Sequence, residues 1–378
     1  MADDDDVFTK LPLDVVFQIL AKLPTKSLLQ LRRVSKSFNP LILQPHFLKL
    51  HLTADADADH RLHVIYYEST DYTKAYFSFH AEKSFSSCKI LETPFKSVHG
   101  YLRIVGSDRG VVCLFDTNYF TFVGTVILWN PFIGKFKILP CPQEVNCFRS
   151  NVSHMAVGFG FDHINFDFKV VKILYSCDNE HEFMPKALIC SVKSGSWRSS
   201  GLVVPCFMSK NWASSVFVNG VVHWLAYKQP RINGQPNCIM GFDVVEEAFK
   251  LMEVPQNLGP NSKELRLCSW IDEKSVALFV GYHENMGEAW DLWLMNDYGN
   301  VESWTRNRTI VLEQVFYPLK IVNGGDILAA IGDEKLVSID VENEEVRDLE
   351  VCGLPLSFYA ASYMPSLAMI DIGEQLLE

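Results

Sequence analysis

The sequence has no excess of basic residues and no long apolar run. Its 34 Lys and Arg are outnumbered by 45 Asp and Glu, which gives a net charge of −11. Nucleic acids and anionic membrane surfaces attract clustered Lys and Arg, so neither partner is expected. No segment approaches the roughly 18 apolar residues of a membrane span. Asp3–Asp6 stand where a secretory signal would be basic and then apolar. We therefore expect a soluble intracellular protein, cytoplasmic, nuclear or both.

Closely spaced cysteines are also absent. The closest two of the ten cysteines are Cys141 and Cys147, and no pair has the C-x-x-C spacing of zinc or redox sites. The other cysteines are scattered through strand-like segments. In an intracellular protein this distribution predicts reduced thiols in the core, with neither disulfides nor zinc.

Motifs typical of catalysis and cofactor binding are lacking as well. Gly158-x-Gly160 has no third glycine and opens no helix, which predicts glycines that permit close packing. His223 beside Trp224 is interpreted as a hydrogen-bonded core residue, and Glu246-Glu247 as solvated turn residues. His60-x-x-His63 has no third ligand nearby. The sequence accordingly predicts no catalytic residue, no cofactor and no metal ion.

What the sequence does contain, near its start, is a short helical segment rich in leucine. Apolar residues recur there at three- and four-residue spacing, which is typical of one helix face. These residues are Val15, Val16, Ile19, Leu20 and Leu23. Pro12 suits the first turn of this helix and Pro24 ends it. A second helix is predicted from Thr25, as its cap, and a third within residues 35–43.

Three short helices cannot bury all these leucines among themselves, because units of about forty residues are marginal alone. Leucine faces that are left over indicate a partner surface. The alternative is that the helices simply pack against the rest of the chain.

Beyond residue 61 the pattern changes to short strands separated by regularly spaced turns. Asn219-Gly220 within SVFVNGVVHWLAY is a strong hairpin signal, and Asn323-Gly324 repeats it. Five turn markers are separated by 55, 55, 54 and 50 residues: Gly110, Asn165, Gly220, Lys274 and Gly324. Each period contains a second hairpin and therefore four strands. Strands repeating at about fifty residues predict a β-propeller.

The two chain ends are expected to complete this propeller together. Five units run from Tyr101 to about Glu350, while residues 62–91 supply three strands and Phe358–Tyr363 supplies one more. A blade shared between both ends leaves no open strand edge. The predicted fold class is mainly β: a small N-terminal three-helix unit followed by a β-propeller-like domain of about six four-stranded blades, closed by the C-terminal strand.

Four short motifs follow one another in the helical segment. They are Leu11-Pro12-x-Asp14, Ile19-Leu20, Leu23-Pro24-x-Lys26-Ser27-Leu28 and Val34-Ser35-Lys36-Ser37-Phe38. Together they resemble an F-box, the segment by which F-box proteins dock on the Skp adaptor of a Skp–cullin–F-box ubiquitin ligase. Phe38 stands where this family usually has Trp, and Pro40 where it usually has a small polar residue. The resemblance implies that ten residues form or support an adaptor-binding face: Leu11, Pro12, Ile19, Leu20, Leu23, Pro24, Leu28, Leu31, Val34 and Phe38.

Several strand motifs match a second module. They are Ile127-Leu128-Trp129-Asn130-Pro131, Gly158–Asp162, Phe168–Ile173, Val218–Leu225 and Glu302–Thr305. They resemble the F-box-associated domain of plant F-box proteins, of which the S-locus F-box proteins are one branch. The predicted organisation is an F-box at 5–50, an acidic linker at 51–60, the F-box-associated propeller at 61–370 and a tail at 371–378.

The two resemblances imply a substrate-recognition subunit that has no catalytic activity of its own. The F-box would bind a Skp-family adaptor and, through it, cullin and RING subunits, while the propeller would bind a target protein for ubiquitination. The alternatives are a propeller-type enzyme with a site in the central channel, or an interaction scaffold outside any ligase. The innermost strands, such as YLRIV and VFVNG, are mostly apolar, which disfavours the enzyme.

Loop lengths indicate which face of the propeller would bind a target. Within each unit the first and third connections are tight turns, whereas the others are expected to be longer. The expected long loops are 176–185, 227–237, 281–288, 141–153, 201–211 and 255–264. Hairpins seldom need more than about five linking residues, so long loops on one face indicate binding, although spare surface is the alternative. Aromatic, Met and Arg residues are enriched at interfaces. The candidate substrate-binding residues are Phe183, Met184, Phe207, Met208, Trp212, Tyr227 and Arg231.

Overall fold

Four short helices form the N-terminal part of the computed structural model. The structure describes residues 11–34, 37–54, 61–68, 75–81, 85, 87–99, 101–117, 124–142, 152–177, 183–208, 215–229, 236–258, 262–270, 274–284, 287–312, 316–322, 325–332, 334–343, 345–354 and 357–369. The helices are α1 (Leu13–Leu20), α2 (Thr25–Val34), α3 (Phe38–Ile42) and α4 (Pro45–Thr53). We call residues 11–53 the helical head.

The fourth helix corrects the prediction of a three-helix unit. Pro45 lies in the first turn of α4, where its missing N–H costs nothing. Phe47 and His51 of α4 are buried against the other helices. Residues 51–53, which were assigned to a solvated linker, are therefore helical and partly buried. The alternation of Ala and Asp begins only at residue 54, and residues 55–60 lie outside the described part.

The rest of the described chain is built of β-strands. In chain order they are β1 (Leu62–Glu68), β2 (Ala75–Ala81), β3 (Ser87–Leu91), β4 (Tyr101–Asp108), β5 (Val111–Thr117), β6 (Gly124–Asn130), β7 (Lys135–Ile138), β8 (Val152–Asp162), β9 (Asp167–Cys177), β10 (Phe183–Ser191), β11 (Ser196–Ser199), β12 (Phe207–Met208), β13 (Val216–Val218), β14 (Val221–Tyr227), β15 (Cys238–Asp243), β16 (Ala248–Glu253), β17 (Ser262–Ser269), β18 (Val276–Glu284), β19 (Gly287–Met295), β20 (Trp304–Leu312), β21 (Phe316–Ile321), β22 (Ile327–Ile331), β23 (Lys335–Asp340), β24 (Glu345–Cys352) and β25 (Tyr359–Tyr363).

These strands form six antiparallel sheets, which are the blades of a β-propeller. Blade 1 has the order β25-β1-β2-β3, and blades 2, 3, 5 and 6 are β4–β7, β8–β11, β17–β20 and β21–β24. The first strands of the blades contact one another around the ring, from β25 through β4, β8, β12, β13, β17 and β21 back to β25. An apolar cluster fills each of the six boundaries between neighbouring blades. The predicted six-bladed propeller is confirmed.

Closure of the ring by the C-terminal strand is also confirmed. β25 pairs with β1 in antiparallel register, with Val64 opposite Ala361 and Tyr66 opposite Tyr359. β1 thus has a partner on both sides, because β2 pairs with its other edge. The inner edge of β1 is therefore paired by the C-terminal strand.

Blade 4 departs from the regular pattern because its first strand is interrupted. β14 pairs with β13 along one half and with the two-residue β12 along the other. The hairpin between β13 and β14 turns at Asn219 and Gly220, with φ of 51° and 76°. Two consecutive positive φ values define the type I′ turn that Asn-Gly predicts. The second Asn-Gly pair, Asn323-Gly324, lies outside the described residues.

A short segment after β25 joins the helical head to the propeller. We call this segment, residues 364–369, the C-terminal clamp. Leu367 is fully buried within the apolar core of the head, among side chains such as Leu28 and Phe47. The Thr25 hydroxyl donates a hydrogen bond to the Pro365 carbonyl, with 3.4 Å between the oxygens. The head therefore includes a side chain that lies more than three hundred residues later in the sequence.

Residues of blade 2 contact the C-terminal clamp on the side that faces away from the helical head. The buried Asn130 amide donates to the carbonyls of Ser366 and Ala368, at 3.0 and 2.9 Å. Gly110 has a φ of 75°, and a Cβ there would lie 2.5 Å from the Ser366 hydroxyl oxygen. Only glycine permits this approach. Asn130 is the asparagine of the Ile127–Pro131 motif, so this motif fixes the C-terminal clamp against the propeller.

The helical head lies on the face of the propeller that carries the tight turns. Arg109, in the turn between β4 and β5, donates to the Leu52 carbonyl. Lys49 lies 4.2 Å from the ring centre of Phe166, which is in the turn between β8 and β9. Ile133, in the turn between β6 and β7, packs against the core of the head. We call this the tight-turn face, and the opposite one the long-connection face.

Candidate interaction surfaces

The helical head leaves an apolar strip exposed on α1 and the residues before it. Helix periodicity divides α1 into two faces: Val16, Phe17 and Leu20 are buried in the head. The exposed apolar residues of the head are Leu11, Leu13, Val15, Ile19 and Val34. Val15 and Ile19 are each 42% exposed and lie one helical turn apart. Val15 and Ile19 lie on the side of α1 opposite its buried residues, and we call this pair the α1 strip; Leu11 and Leu13 are exposed at the start of the helix.

On the long-connection face, two of the expected long loops are instead regular strand. β9 and β10 stay paired out to Cys177 and Phe183, so their connection is only residues 178–182. β18 and β19 stay paired out to Glu284 and Gly287, which leaves two linking residues. The loops predicted at 176–185 and 281–288 were therefore wrong. Polar residues near the ends of paired strands give the same sequence pattern as a loop, so the sequence alone does not locate the last paired residue.

Most of the remaining long connections lie around blades 3 and 4. They are 139–151 before β8, 200–206 before β12, 209–215 before β13 and 228–237 between β14 and β15. The connection before β17 is 254–261. A further connection on this face, 92–100 between β3 and β4, joins blades 1 and 2, so the long connections are most numerous around blades 3 and 4 but are not confined to this sector.

The candidate substrate-binding residues are placed differently from the prediction. Phe183 and Met184 lie on β10, opposite Cys177 and Ser176. Phe207 and Met208 form β12, opposite Tyr227 and Ala226 of β14.

Burial limits which of these candidates can touch a partner. Met208 and Tyr227 are each only 7% exposed, and Phe207 packs against the apolar cluster between blades 3 and 4. Met208 and Tyr227 are therefore core residues. Trp212 and Arg231 lie outside the described residues.

Sequence reasoning missed the most exposed apolar side chain of this sector. Val203 is 86% exposed in the connection before β12. Valine is not enriched at interfaces, so residue type alone gave no signal. Its position within GLVVP, in a segment expected to be a loop, was the one available indication.

The polar groups considered for catalysis have structural roles in the described chain. Both ring nitrogens of the buried His223 are engaged, by the Val216 carbonyl at 3.1 Å and by the Tyr298 hydroxyl at 2.8 Å. Burial lowers the pKa of His223 to about 4. A Cβ on Gly158 would lie 2.4 Å from the Trp224 ring. The predictions of a core histidine and a packing glycine are both confirmed.

Glu247 differs from its prediction as a solvated turn residue. Its carboxylate forms an ion pair with the Lys169 ammonium, with 2.9 Å between the nitrogen and the oxygen, and a second ion pair with Arg198. Lys169 is buried and bonds in addition to the Asp162 carboxylate at 2.8 Å and the Val244 carbonyl at 2.7 Å. This network joins the tight turns of blades 3 and 4.

No three His, Cys, Asp or Glu side chains meet in a way that could hold a metal ion in the described ranges. Among the same residues, no helix is long and apolar enough to cross a membrane.

Comparison with known families accounts for both parts of the structure. Residues 8–50 match the profile of the F-box domain. Residues 53–331, most of the chain, match the profile of the F-box associated beta propeller domain. The chain belongs to the F-box proteins with an F-box associated propeller.

Full-length relatives of this F-box protein are found in Arabidopsis thaliana. F-box protein CPR1 is 23% identical over 95% of this chain and 89% of its own length. F-box protein At3g07870 is 26% identical over 96% of this chain and 92% of its own. Among solved structures, TolB from Acinetobacter baumannii matches 83% of this chain and 72% of its own with a TM-score of 0.46 and 8% identity. The family assignment rests on the two domain profiles.

Within the F-box, the ten residues predicted for adaptor binding fall into three groups by exposure. Leu11, Pro12, Ile19 and Val34 are exposed. Leu23, Pro24 and Leu31 are half-buried. Leu20, Leu28 and Phe38 are buried in the F-box core, so they support a surface from within and cannot form one. Leu13 and Val15 are exposed beside Ile19 and were not among the ten.

Proposed function

We propose that this F-box protein is the substrate-recognition subunit of a Skp–cullin–F-box ubiquitin ligase, in the cytoplasm, the nucleus or both. The F-box would bind a Skp-family adaptor, which links it to cullin and RING subunits. The propeller would bind the target protein. Catalysis would belong to the other subunits.

One observation carries the adaptor half of this proposal: the F-box leaves the α1 strip exposed although its own core is filled. Exposed apolar side chains that lie together are typical of a partner surface. The strip also lies within residues 8–50, which match the F-box profile, and this supports adaptor binding.

The test is adaptor binding by a variant altered only on the α1 strip. Val15→Asp together with Ile19→Asp puts two charges where an apolar interface would form, which costs several kcal/mol of binding free energy. Both side chains are already 42% exposed, so the fold should tolerate the change. In pull-down with purified Skp adaptor we expect at least about a hundredfold weaker binding, as loss of about 3 kcal/mol implies.

Val311→Asp is the matched control, because Val311 is 64% exposed on the outer strand of blade 5. It should bind the adaptor like the unaltered protein. Undiminished binding by a folded Val15→Asp, Ile19→Asp variant would refute the adaptor half of the proposal.

The target half of the proposal is supported by the position of the F-box. The F-box occupies the tight-turn face over blades 2 and 3, so the long-connection face is directed away from it. The long connections of blades 3 and 4 and the exposed Val203 lie on that free face. A target bound there would not compete with the adaptor for space.

The test for the target half is proximity labelling with an F-box deletion, followed by binding of the labelled proteins to loop variants. Val203→Asp should reduce capture of a true target while adaptor binding stays unchanged. Changes in the tight turn at Asn219-Gly220, which is remote from the F-box contacts, should leave capture intact. If the tight-turn variant loses the target and Val203→Asp retains it, the assignment of faces is wrong.

A further inference from the structure

Two cysteine sulfurs meet in the core of blade 4. The Sγ atoms of Cys206 and Cys238 are 3.3 Å apart, and both residues are completely buried. A disulfide bond is about 2.05 Å long, so the sulfurs are about 1.3 Å from bonding distance. Both cysteines are free thiols.

The strand pairing explains why these sulfurs meet. Ala226 of β14 pairs with Met208 of β12 on one side and with Cys238 of β15 on the other. Cys206 is two residues before Met208, so its side chain lies on the same side of the sheet. The small Ala226 side chain leaves room for the two sulfurs above it.

The two thiols are chemically unequal. The hydrogen bond between the sulfurs lowers the pKa of Cys206, burial opposes this, and the Lys228 charge lowers it further. The same hydrogen bond and burial raise the pKa of Cys238. Cys206 is thus favoured as the thiolate, which is the form that reacts with oxidants, and Cys238 as its proton donor.

A bond between these sulfurs also requires β12, next to Cys206, to move. β12 is held to β14 by two residue pairs, Phe207 with Tyr227 and Met208 with Ala226. A strand with two pairings opens more readily than a longer one, and the burial of Cys206 and Met208 sets the cost of this opening. Such an opening would admit a small oxidant to the buried sulfurs and let Cys206 approach Cys238. The Tyr175 hydroxyl, which donates to the Cys206 carbonyl at 3.0 Å, ties the other side of this residue to blade 3.

We infer that Cys206 and Cys238 form a reversible dithiol–disulfide switch that responds to a peroxide. The Cys206 thiolate attacks a peroxide oxygen, the O–O bond breaks, and a sulfenic acid and one water result after a proton is taken up. The Cys238 thiol then attacks this sulfur and releases a second water as the S–S bond forms. Two thiols lose two hydrogens and two electrons, and hydrogen peroxide is reduced to two waters. A dithiol reductant reverses the bond by exchange.

The bond would join the two long connections of this sector. Cys206 ends the connection at 200–206, and Cys238 follows the connection at 228–237. Disulfide formation would therefore restrict the part of the long-connection face that carries Val203. The effect on target capture rests on the proposed function, whereas the bond itself does not.

The test uses the purified full chain treated with hydrogen peroxide, then unfolded, alkylated and mapped by mass spectrometry. We expect Cys206 and Cys238 to lose alkylation together and to appear in one linked peptide that dithiothreitol separates. The buried single thiol of Cys268 is the control and should remain alkylatable. In Cys238→Ser, the reaction should stop at a sulfenic acid on Cys206, which dimedone labels. Cys206→Ser should give neither product.

Oxidation of the exposed Cys141 and Cys352 with Cys206 and Cys238 still fully alkylatable would overturn the inference. So would a linked peptide that forms only after unfolding. Because the bond is measured without a target or an adaptor, failure of the proposed function would not change this result. If a target is found, its capture should differ between oxidised and reduced protein and should not differ in Cys238→Ser.

Discussion

Lys169 bonds to one oxygen of Asp162 in its own blade and to oxygens of Glu247 and Val244 in blade 4. This network makes the free energy of unfolding depend on pH. Burial alone would raise the pKa of Asp162, but hydrogen bonds from Lys169 and Asn165 outweigh it and lower the pKa from 3.8 to about 2. A carboxyl whose pKa falls on folding stabilises the fold above its unfolded pKa. That stabilisation is lost as the pH falls through the folded pKa.

The residue to change is Asp162. We expect Asp162→Asn to lower the free energy of unfolding by about 2 kcal/mol at pH 7, since one pKa unit corresponds to about 1.4 kcal/mol. The difference from the unaltered protein should shrink between about pH 4 and pH 2. Urea unfolding at several pH values checks both points. A difference that stays constant down to pH 2 would show that lost packing, and not charge, is responsible.

Gly158 gives a second prediction at the scale of single residues. A Cβ there would lie 2.4 Å from Trp224 and 2.6 Å from Val222, both of them buried. Gly158→Ala should therefore destabilise the protein by about 1–3 kcal/mol through overpacking. Gly106→Ala is the control, because a Cβ at Gly106 meets nothing within 4 Å. Thermal unfolding should separate the two variants clearly.

At the scale of elements, α1 has two faces that differ in burial. Leu20 is 1% exposed and Ile19 is 42% exposed, although they are neighbours in sequence. Leu20→Ala should cost about 2–5 kcal/mol in the stability of the F-box, because it leaves a cavity. Ile19→Ala should cost much less stability and weaken adaptor binding more. Hydrogen exchange of the α1–α4 amides measures the first effect and adaptor titration the second. Equal loss of protection in both variants would contradict this division of α1.

The elements also show how far the sequence was informative. The hairpin turns were predictable because Asn219-Gly220 requires positive φ, a property of the residues themselves. Strand ends were not, since five of the ten residues in 176–185 are paired in β9 and β10 although the segment is rich in polar residues. Of the predicted sites, Ile19 is exposed as expected, but Leu20 was assigned to the same face because both fit the helical period. Which of two adjacent apolar residues is buried depends on what packs against the helix.

For the whole molecule, the C-terminal clamp was beyond prediction. Leu367 lies in the same apolar cluster as Leu28 and Phe47 although it is more than three hundred residues later in the sequence. No local sequence pattern predicts such packing. The propeller repeat was visible because it recurs five times, whereas the docking of the F-box occurs once. A repeated architecture can be predicted from the period of its sequence pattern, whereas a single long-range contact produces no such pattern.

Truncation tests this architecture. A chain ending after Cys352 lacks β25 and the C-terminal clamp, so β1 loses its inner partner and the F-box loses Leu367. We expect soluble aggregates, because an open strand edge pairs with other chains, together with a lower melting temperature. A chain ending after Met369 is the control and should behave as the full chain does. Size-exclusion chromatography and thermal unfolding are the measurements. A monomeric Cys352 truncation with an unchanged melting temperature would rule out closure by β25.

The order in which the ribosome makes these parts has a consequence of its own. The Glu68 amide bonds to the Ser357 hydroxyl 289 residues later in the chain, close to where β1 meets β25. During translation, the edge of β1 that pairs with β25 therefore stays without this partner until the five following blades have been synthesised. The F-box is translated before the propeller, yet its core acquires Leu367 only after β25 has been made. Pairing of the last strand of the ring and packing of Leu367 into the F-box core therefore belong to the same late step of folding.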